Sequence, residues 1–172
     1  LEAVPDLPPY LKSLTHYEWI ELALAVVDIS IDLQTVKPAG DLLQGKPVLA
    51  PALALLSYDY AVQLISPRFK PLEPLAQPVH LLVFRDTEDN VRFIELNSIT
   101  ARLLHLLQEE DTTGLAALEK IAAELTHLEP HPKLQAVIEF GRAILDDLRQ
   151  QGAILGVRDT GLRNSGVQNT AG

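Results

Sequence analysis

The chain reads as α+β, a long N-terminal helix packed with a module made of a β-hairpin or three-stranded sheet plus three helices. Three observations predict this. Two β-rich runs flank a polar cluster in mid-chain, three apolar stripes of helical spacing follow them, and a breaker-free apolar stretch lies near the N-terminus.

The N-terminal stretch comes first. Asp6 offers a cap for a helix that Pro8 and Pro9 open, and no breaker interrupts 9–27. Tyr10, Leu11, Leu14, Tyr17, Leu24 and Val27 recur at helical spacing, while Trp19, Ile20 and Leu22 widen the stripe around much of the circumference. Such a helix must touch more than one surface, which makes Tyr17, Trp19 and Ile20 a candidate partner interface. Between Asp28 and Pro78 the chain is punctuated by proline, with Leu53-Ala54-Leu55-Leu56 and 58–65 as extended runs. The alternation of Tyr60, Val62 and Leu64 predicts a third strand over 60–65 beside the hairpin.

The hairpin follows. Val79 to Arg85 and Val91 to Leu96 are β-rich, and Asp86 to Asn90 supply the polar turn. Val79, Leu81 and Val83 lie on one face, His80, Leu82 and Phe84 on the other, so both faces are apolar and both require a cover. The later helices supply one and the N-terminal helix the other.

Asn97 is an N-cap residue, and Ile99, Leu103, Leu104, Leu106 and Leu107 predict a helix over 98–108. Asp111 to Gly114 break it. Leu115, Leu118, Ile121, Ala122 and Leu125 form the second stripe, and Leu134, Val137, Ile138, Gly141, Ile144, Leu145 and Leu148 the third, which stops at Gly152. Ala153-Ile154-Leu155 then predicts a short returning strand, completing an order of elements like that of a winged helix. The domain reading is a helix and Pro-rich connecting segment over 1–77, the winged-helix-like module over 78–157, and a polar, flexible tail over 158–172.

Composition limits the possibilities. A chain of 172 residues with 47% hydrophobic content buries one sizeable core or two small ones. No apolar run reaches the roughly 18 residues of a membrane span, and no secretory signal opens the chain. With no cysteine there are no disulfides or thiolate metal sites, and a cytoplasmic location is the expectation. The chain starts at Leu1 and has no methionine, so a longer translated product is expected.

Charge works against nucleic acid. The net charge is -9, whereas duplex binding relies on Lys and Arg neutralising phosphates. In a DNA-binding winged helix the last helix enters the major groove, but here it carries Lys133, Arg142 and Arg149 against Glu139, Asp146 and Asp147 and is neutral. The preceding helix has Glu119 and Glu124 against Lys120.

Catalytic patterns are weak, and the chain reads as a protein that is not an enzyme and needs no cofactor. His127 and His131 have a metal-pair spacing, but Pro130 prevents one helix from aligning them. His16 and Glu18 point to different faces of their helix, and Glu109, Glu110 and Asp111 read as a solvated turn. No nucleophile elbow, phosphate loop or zinc-deaminase motif occurs, and no metal site is expected.

Two stretches carry a family resemblance. The run Val91-Arg92-Phe93-Ile94-Glu95-Leu96-Asn97-Ser98-Ile99-Thr100-Ala101, the turn Thr112-Thr113-Gly114, the segment Leu118-Glu119-Lys120-Ile121-Ala122-Ala123-Glu124-Leu125 and the segment from Ile144 to Leu155 resemble a PqqD-like RiPP precursor recognition element. Pro5-Asp6-Leu7-Pro8-Pro9-Tyr10-Leu11 with His16-Tyr17-Glu18-Trp19-Ile20-Glu21-Leu22-Ala23 resembles the C-terminal region of the HvfC/BufC family, historically labelled for a DNA-binding domain. Together these stretches cover most of 5–157.

The resemblance implies a partner protein in RiPP biosynthesis of a metallophore. It would hold a ribosomal precursor peptide and present its cysteines to a multinuclear non-heme iron oxidase, with a helical domain preceding this segment. Recognition of that kind is strand addition, in which a peptide pairs with an unpaired strand edge and drops side chains into the adjoining groove. The edge would be Val91, Arg92, Phe93 and Ile94 in the strand ending at Leu96, and the groove residues Gln135, Ile138, Glu139, Arg142 and Arg149 on the last helix. A winged-helix DNA-binding regulator and an oligomerisation module built on the first helix are the alternatives.

Overall fold

The computed structural model describes residues 7–161. Four helices and two small antiparallel sheets make an α+β fold: α1 (Leu11–Val26), β1 (Lys46–Leu49), β2 (Leu53–Tyr58), β3 (Val79–Arg85), β4 (Val91–Leu96), α2 (Ser98–Glu109), α3 (Gly114–Glu124), α4 (Leu134–Gln150) and β5 (Ile154–Arg158). No helix among the described residues is long and apolar enough to cross a membrane.

The larger sheet has the order β2-β3-β4. Its centre, β3, buries five of its seven residues, because two apolar faces leave only His80 and Arg85 partly exposed. Leu82 and Phe84 enter the main core with Leu103, Leu104, Leu118, Ile121 and Leu145 from the helices. Leu81 and Val83 lie under α1, where Tyr17, Ile20 and Leu24 cover the second face. Both covers expected for the hairpin are therefore present. Arg85 closes the far end of α1 by donating Nη1–H to the Ala25 carbonyl oxygen at 3.1 Å, a cation at a helix C-terminus.

The third strand lies elsewhere than over 60–65. It is Leu53–Tyr58, paired from Leu53 opposite Phe84 to Tyr58 opposite Val79, and Val62–Leu64 is a 3-10 turn. The reason is burial on both faces: Leu53 and Leu55 pack on the helical core while Ala54 and Leu56 pack under α1, so the true strand shows no alternation. The other small sheet joins β1 to β5, and Lys37 bridges to the opposite edge of β5 through Val157. Pro47 is tolerated in β1 because that strand is an edge. Segments 1–77 and 78–157 thus share both sheets. Arg158 belongs to β5 rather than to a tail, and Asp159 pairs with Lys37 at 2.7 Å. The expected cap at Asp6 and the tail over 162–172 lie outside the described residues.

The helix ends follow local chemistry. Asn97 Oδ1 accepts the Thr100 N–H at 2.8 Å, and Thr113 Oγ1 accepts the Ala116 N–H at 3.2 Å. α4 ends at Gln150 and is closed by Gly152, whose φ of 87° allows Gly152 N–H to bond the Arg149 carbonyl and Ala153 N–H to bond that of Leu148.

Gly141 sets how α4 meets α3. A methyl group there would lie 2.1 Å from Leu118 Cδ2, and Leu118 is itself fully buried, so the helices touch through hydrogen on one side. Gly141→Val should lower the unfolding free energy in urea by about 3 kcal/mol, overpacking outweighing any gain in helix propensity. Unchanged stability would mean that α3 and α4 do not cross this closely.

Candidate functional site

β4 ends its sheet, so one side of its backbone faces away from β3. Which groups face out follows from alternation. Arg85 N–H bonds Ala52 on the β2 side and Asp86 N–H bonds Asn90 across the turn, so Phe84, Leu82 and His80 direct their backbone toward β4. Their partners Arg92, Ile94 and Leu96 are used inside the ladder. Val91, Phe93 and Glu95 present N–H and C=O outward, and no strand among the described residues pairs with them.

Beside this edge runs a groove of about 310 Å³ between β4 and α4, lined by Ile94, Leu96, Asn97 and Thr100 on one side and Ala143, Ile144, Asp147 and Leu148 on the other. Ile144 also borders an apolar crevice of about 170 Å³ that includes Ile99, Leu118, Val137 and the exposed Phe140, so the two depressions adjoin along α4. On the opposite face of the sheet, Phe93 meets Tyr17 with ring centroids 5.1 Å apart.

The structure brings only some of the expected site residues together. Val91, Phe93 and Ile94 are half-buried and flank the edge, and Arg92 is exposed on β4 with its guanidinium 3.5 Å from Asp86 at the turn. Asp86 is held below the usual carboxylate range by the N–H of Asn90 first, then by that of Glu88 and by Arg92. On α4 the expected set lies elsewhere. Arg149 donates to the Gly40 carbonyl at 2.9 Å and to Asp146 at 2.6 Å, and Arg142 reaches Asp41 at 4.0 Å, so both turn to the 38–41 segment. Gln135 bonds Glu139 on the exposed side, and Ile138 packs on the main core. None of the five lines the groove. Ala143, Ile144 and Asp147 do.

The expected partner interface on α1 also divides. Tyr17 and Ile20 face the sheet, whereas Trp19 is 59% exposed. Leu22 and Val26, spaced three and seven residues from Trp19, extend an outward apolar stripe. His127 Nδ1 sits 2.7 Å from the Glu124 carbonyl oxygen, and among the described residues no group of three or more His, Asp or Glu is placed to hold a metal ion.

The model of the HvfC C-terminal domain matches residues 50–149, from the residue before Pro51 through β2, β3, β4 and nearly all of α4. The chain belongs to the HvfC family. No curated protein matches it. The family match therefore contains the whole candidate site, outer edge and groove alike, while α1 lies before it in the chain.

In this HvfC-family chain a seam of aromatic rings joins α1 to the sheet. Tyr58 shares a 2.8 Å hydrogen bond with His16 Nδ1, and its hydroxyl is pushed up to about 12 by burial first and by Tyr17 second. Tyr17 is also raised, by burial and then by the carboxylates of Glu21 and Glu18. Because the folded pKa of Tyr58 lies above its unfolded value, the stability it contributes is present below pH about 10 and is lost as pH rises toward about 12. An ultraviolet titration should show one phenol ionising last, and Tyr58→Phe should remove that step. A variant that keeps the late step would assign it to another tyrosine.

Proposed function

We propose that this HvfC-family chain is a non-catalytic partner protein that binds a ribosomal precursor peptide by strand addition and presents it to a multinuclear non-heme iron oxidase. The observation that carries the reading is the row of outward backbone groups at Val91, Phe93 and Glu95 beside the α4 groove. Backbone pairing supplies affinity without regard to sequence, and the flanking surfaces select side chains. On this reading the hairpin, three helices and returning strand act as a PqqD-like recognition element of winged-helix order. The charge balance agrees with a peptide rather than a duplex, since Arg142 and Arg149 are engaged with the 38–41 segment and the net charge is -9.

The second surface is the Trp19, Leu22 and Val26 stripe, which is exposed and apolar and on this reading receives the oxidase.

Glu95 tests the peptide edge. Its side chain is exposed and its N–H points outward, so proline there removes one donor without opening the β3–β4 ladder. Calorimetry with peptides tiling a candidate ribosomal precursor should show Glu95→Pro binding about 10-fold more weakly than Glu95→Gln, the loss expected of one hydrogen bond. Equal affinity of the two folded variants would place the peptide off this edge. Arg92→Pro, by contrast, breaks the ladder and should lower the melting temperature.

Trp19 tests the other face. Trp19→Glu should leave stability within about 0.5 kcal/mol and abolish co-elution with a co-expressed multinuclear non-heme iron oxidase. Retained co-elution would put the enzyme elsewhere.

A further inference from the structure

Resting on the strand-addition reading, we propose that the segment received by β4 is cationic, carrying lysine or arginine on both of its faces among apolar residues. An added strand alternates its side chains between the two sides of the sheet, so each side can be read separately. On the α1 side the apolar surface is Phe93 with Tyr17, and the charges beside it are acidic. Glu95 receives one side-chain hydrogen bond, from Gln63 Nε2 at 3.1 Å, and Glu21 lies close enough to Tyr17 to raise its phenol. Gln63 gives its amide N–H to Glu95 while its own buried Oε1 finds no partner among the described residues. On the helical side Ile94, Ala143 and Ile144 form the floor, and among the described residues the Asp147 carboxylate accepts a hydrogen bond only from the side-chain amide of Gln151, at 2.7 Å.

None of Glu21, Glu95 and Asp147 has a cation within ion-pair distance among the described residues. The nearby cations are already engaged: Arg92 with Asp86, Arg142 with Asp41, and Arg149 with Asp146. Both sides of the β4 edge thus present unneutralised carboxylates next to apolar surface. Charge complementarity selects a basic partner strand and steers its approach, each pair adding about 2- to 5-fold in affinity and losing it with salt.

The test selects from a phage-displayed library of random eight-residue segments on the full chain and on the Glu95→Lys/Asp147→Lys variant, both checked by thermal melting. Segments selected by the wild type should be enriched in Lys and Arg, and a selected synthetic peptide should bind the double variant about 10-fold more weakly. The variant should in turn enrich Asp and Glu. If the reversal unfolds the chain, Glu95→Gln/Asp147→Asn serves instead, with the basic enrichment expected to vanish. Peptides that discriminate Glu95→Gln from Glu95→Pro, yet show no basic enrichment and bind the charge variants equally well, would overturn this inference and leave strand addition standing. Absence of any segment that depends on the β4 edge would overturn both.

Discussion

The constraint on which the rest of the structure depends is that β3 has neither a face nor an edge for solvent. Leu82, Val83 and Phe84 are fully buried, Leu82 and Phe84 against the helical core and Val83 beneath α1. A strand apolar on both faces needs two covering layers, and a strand with backbone groups on both edges needs two neighbours. α1 and the α2–α4 layer meet the first demand, β2 and β4 the second. The demand then moves outward. β4 satisfies β3 with its inner backbone groups and is left with an outer row that nothing else among the described residues completes. The candidate site is thus a consequence of the core.

The character of that edge depends on a contact well away from it. Gly141 lets α3 approach α4 until Leu118 fills the space a side chain would occupy, and this fixes the rotation of α4 about its own axis. With Val137, Gly141, Leu145 and Leu148 turned to the core, Ala143 and Asp147 fall beside β4 and Arg142 and Arg149 fall on the 38–41 side. A small residue and a carboxylate, not two guanidinium groups, therefore face the strand. That rotation is why the edge is acidic although α4 taken with its N-cap Lys133 is neutral.

This also explains what could be read from sequence and what could not. The helices were legible because a 3.6-residue apolar period, Asn97 and Gly152 are local signals; α2 ends one residue beyond the expected 98–108, and the second and third stripes fall on α3 and α4. β3 and β4 were legible because the polar run from Asp86 to Asn90 isolates them. β2 was legible as an extended run over Leu53 to Leu56 but not as the third strand of the sheet, since burial on both faces erases alternation, while the apparent alternation at Tyr60, Val62 and Leu64 belongs to a turn in which Val62 is buried and Leu64 exposed. At the site, the strand residues were legible from position alone, but which backbone groups face out depends on pairing with β3, and which α4 residues face the groove depends on Leu118. Both are contacts distant in sequence. Periodicity carries no information about either.

The geometry bears on how tightly such an edge can hold a peptide. Val91, Phe93 and Glu95 offer three N–H and three C=O groups, and each hydrogen bond made in exchange for water contributes only about 0.5–1.5 kcal/mol net. Ordering an extended segment costs about 1–2 kcal/mol for each residue fixed, so the ladder by itself comes close to cancelling. Affinity on the proposed reading must then come from side chains on both faces: apolar contacts at Phe93 and Tyr17 on one side and at Ile144 on the other, with the carboxylates setting which segment is accepted. A holder that depends on a few side chains rather than a deep cavity exchanges its peptide readily. That suits a protein whose proposed task is to offer the same segment to an enzyme and then release it.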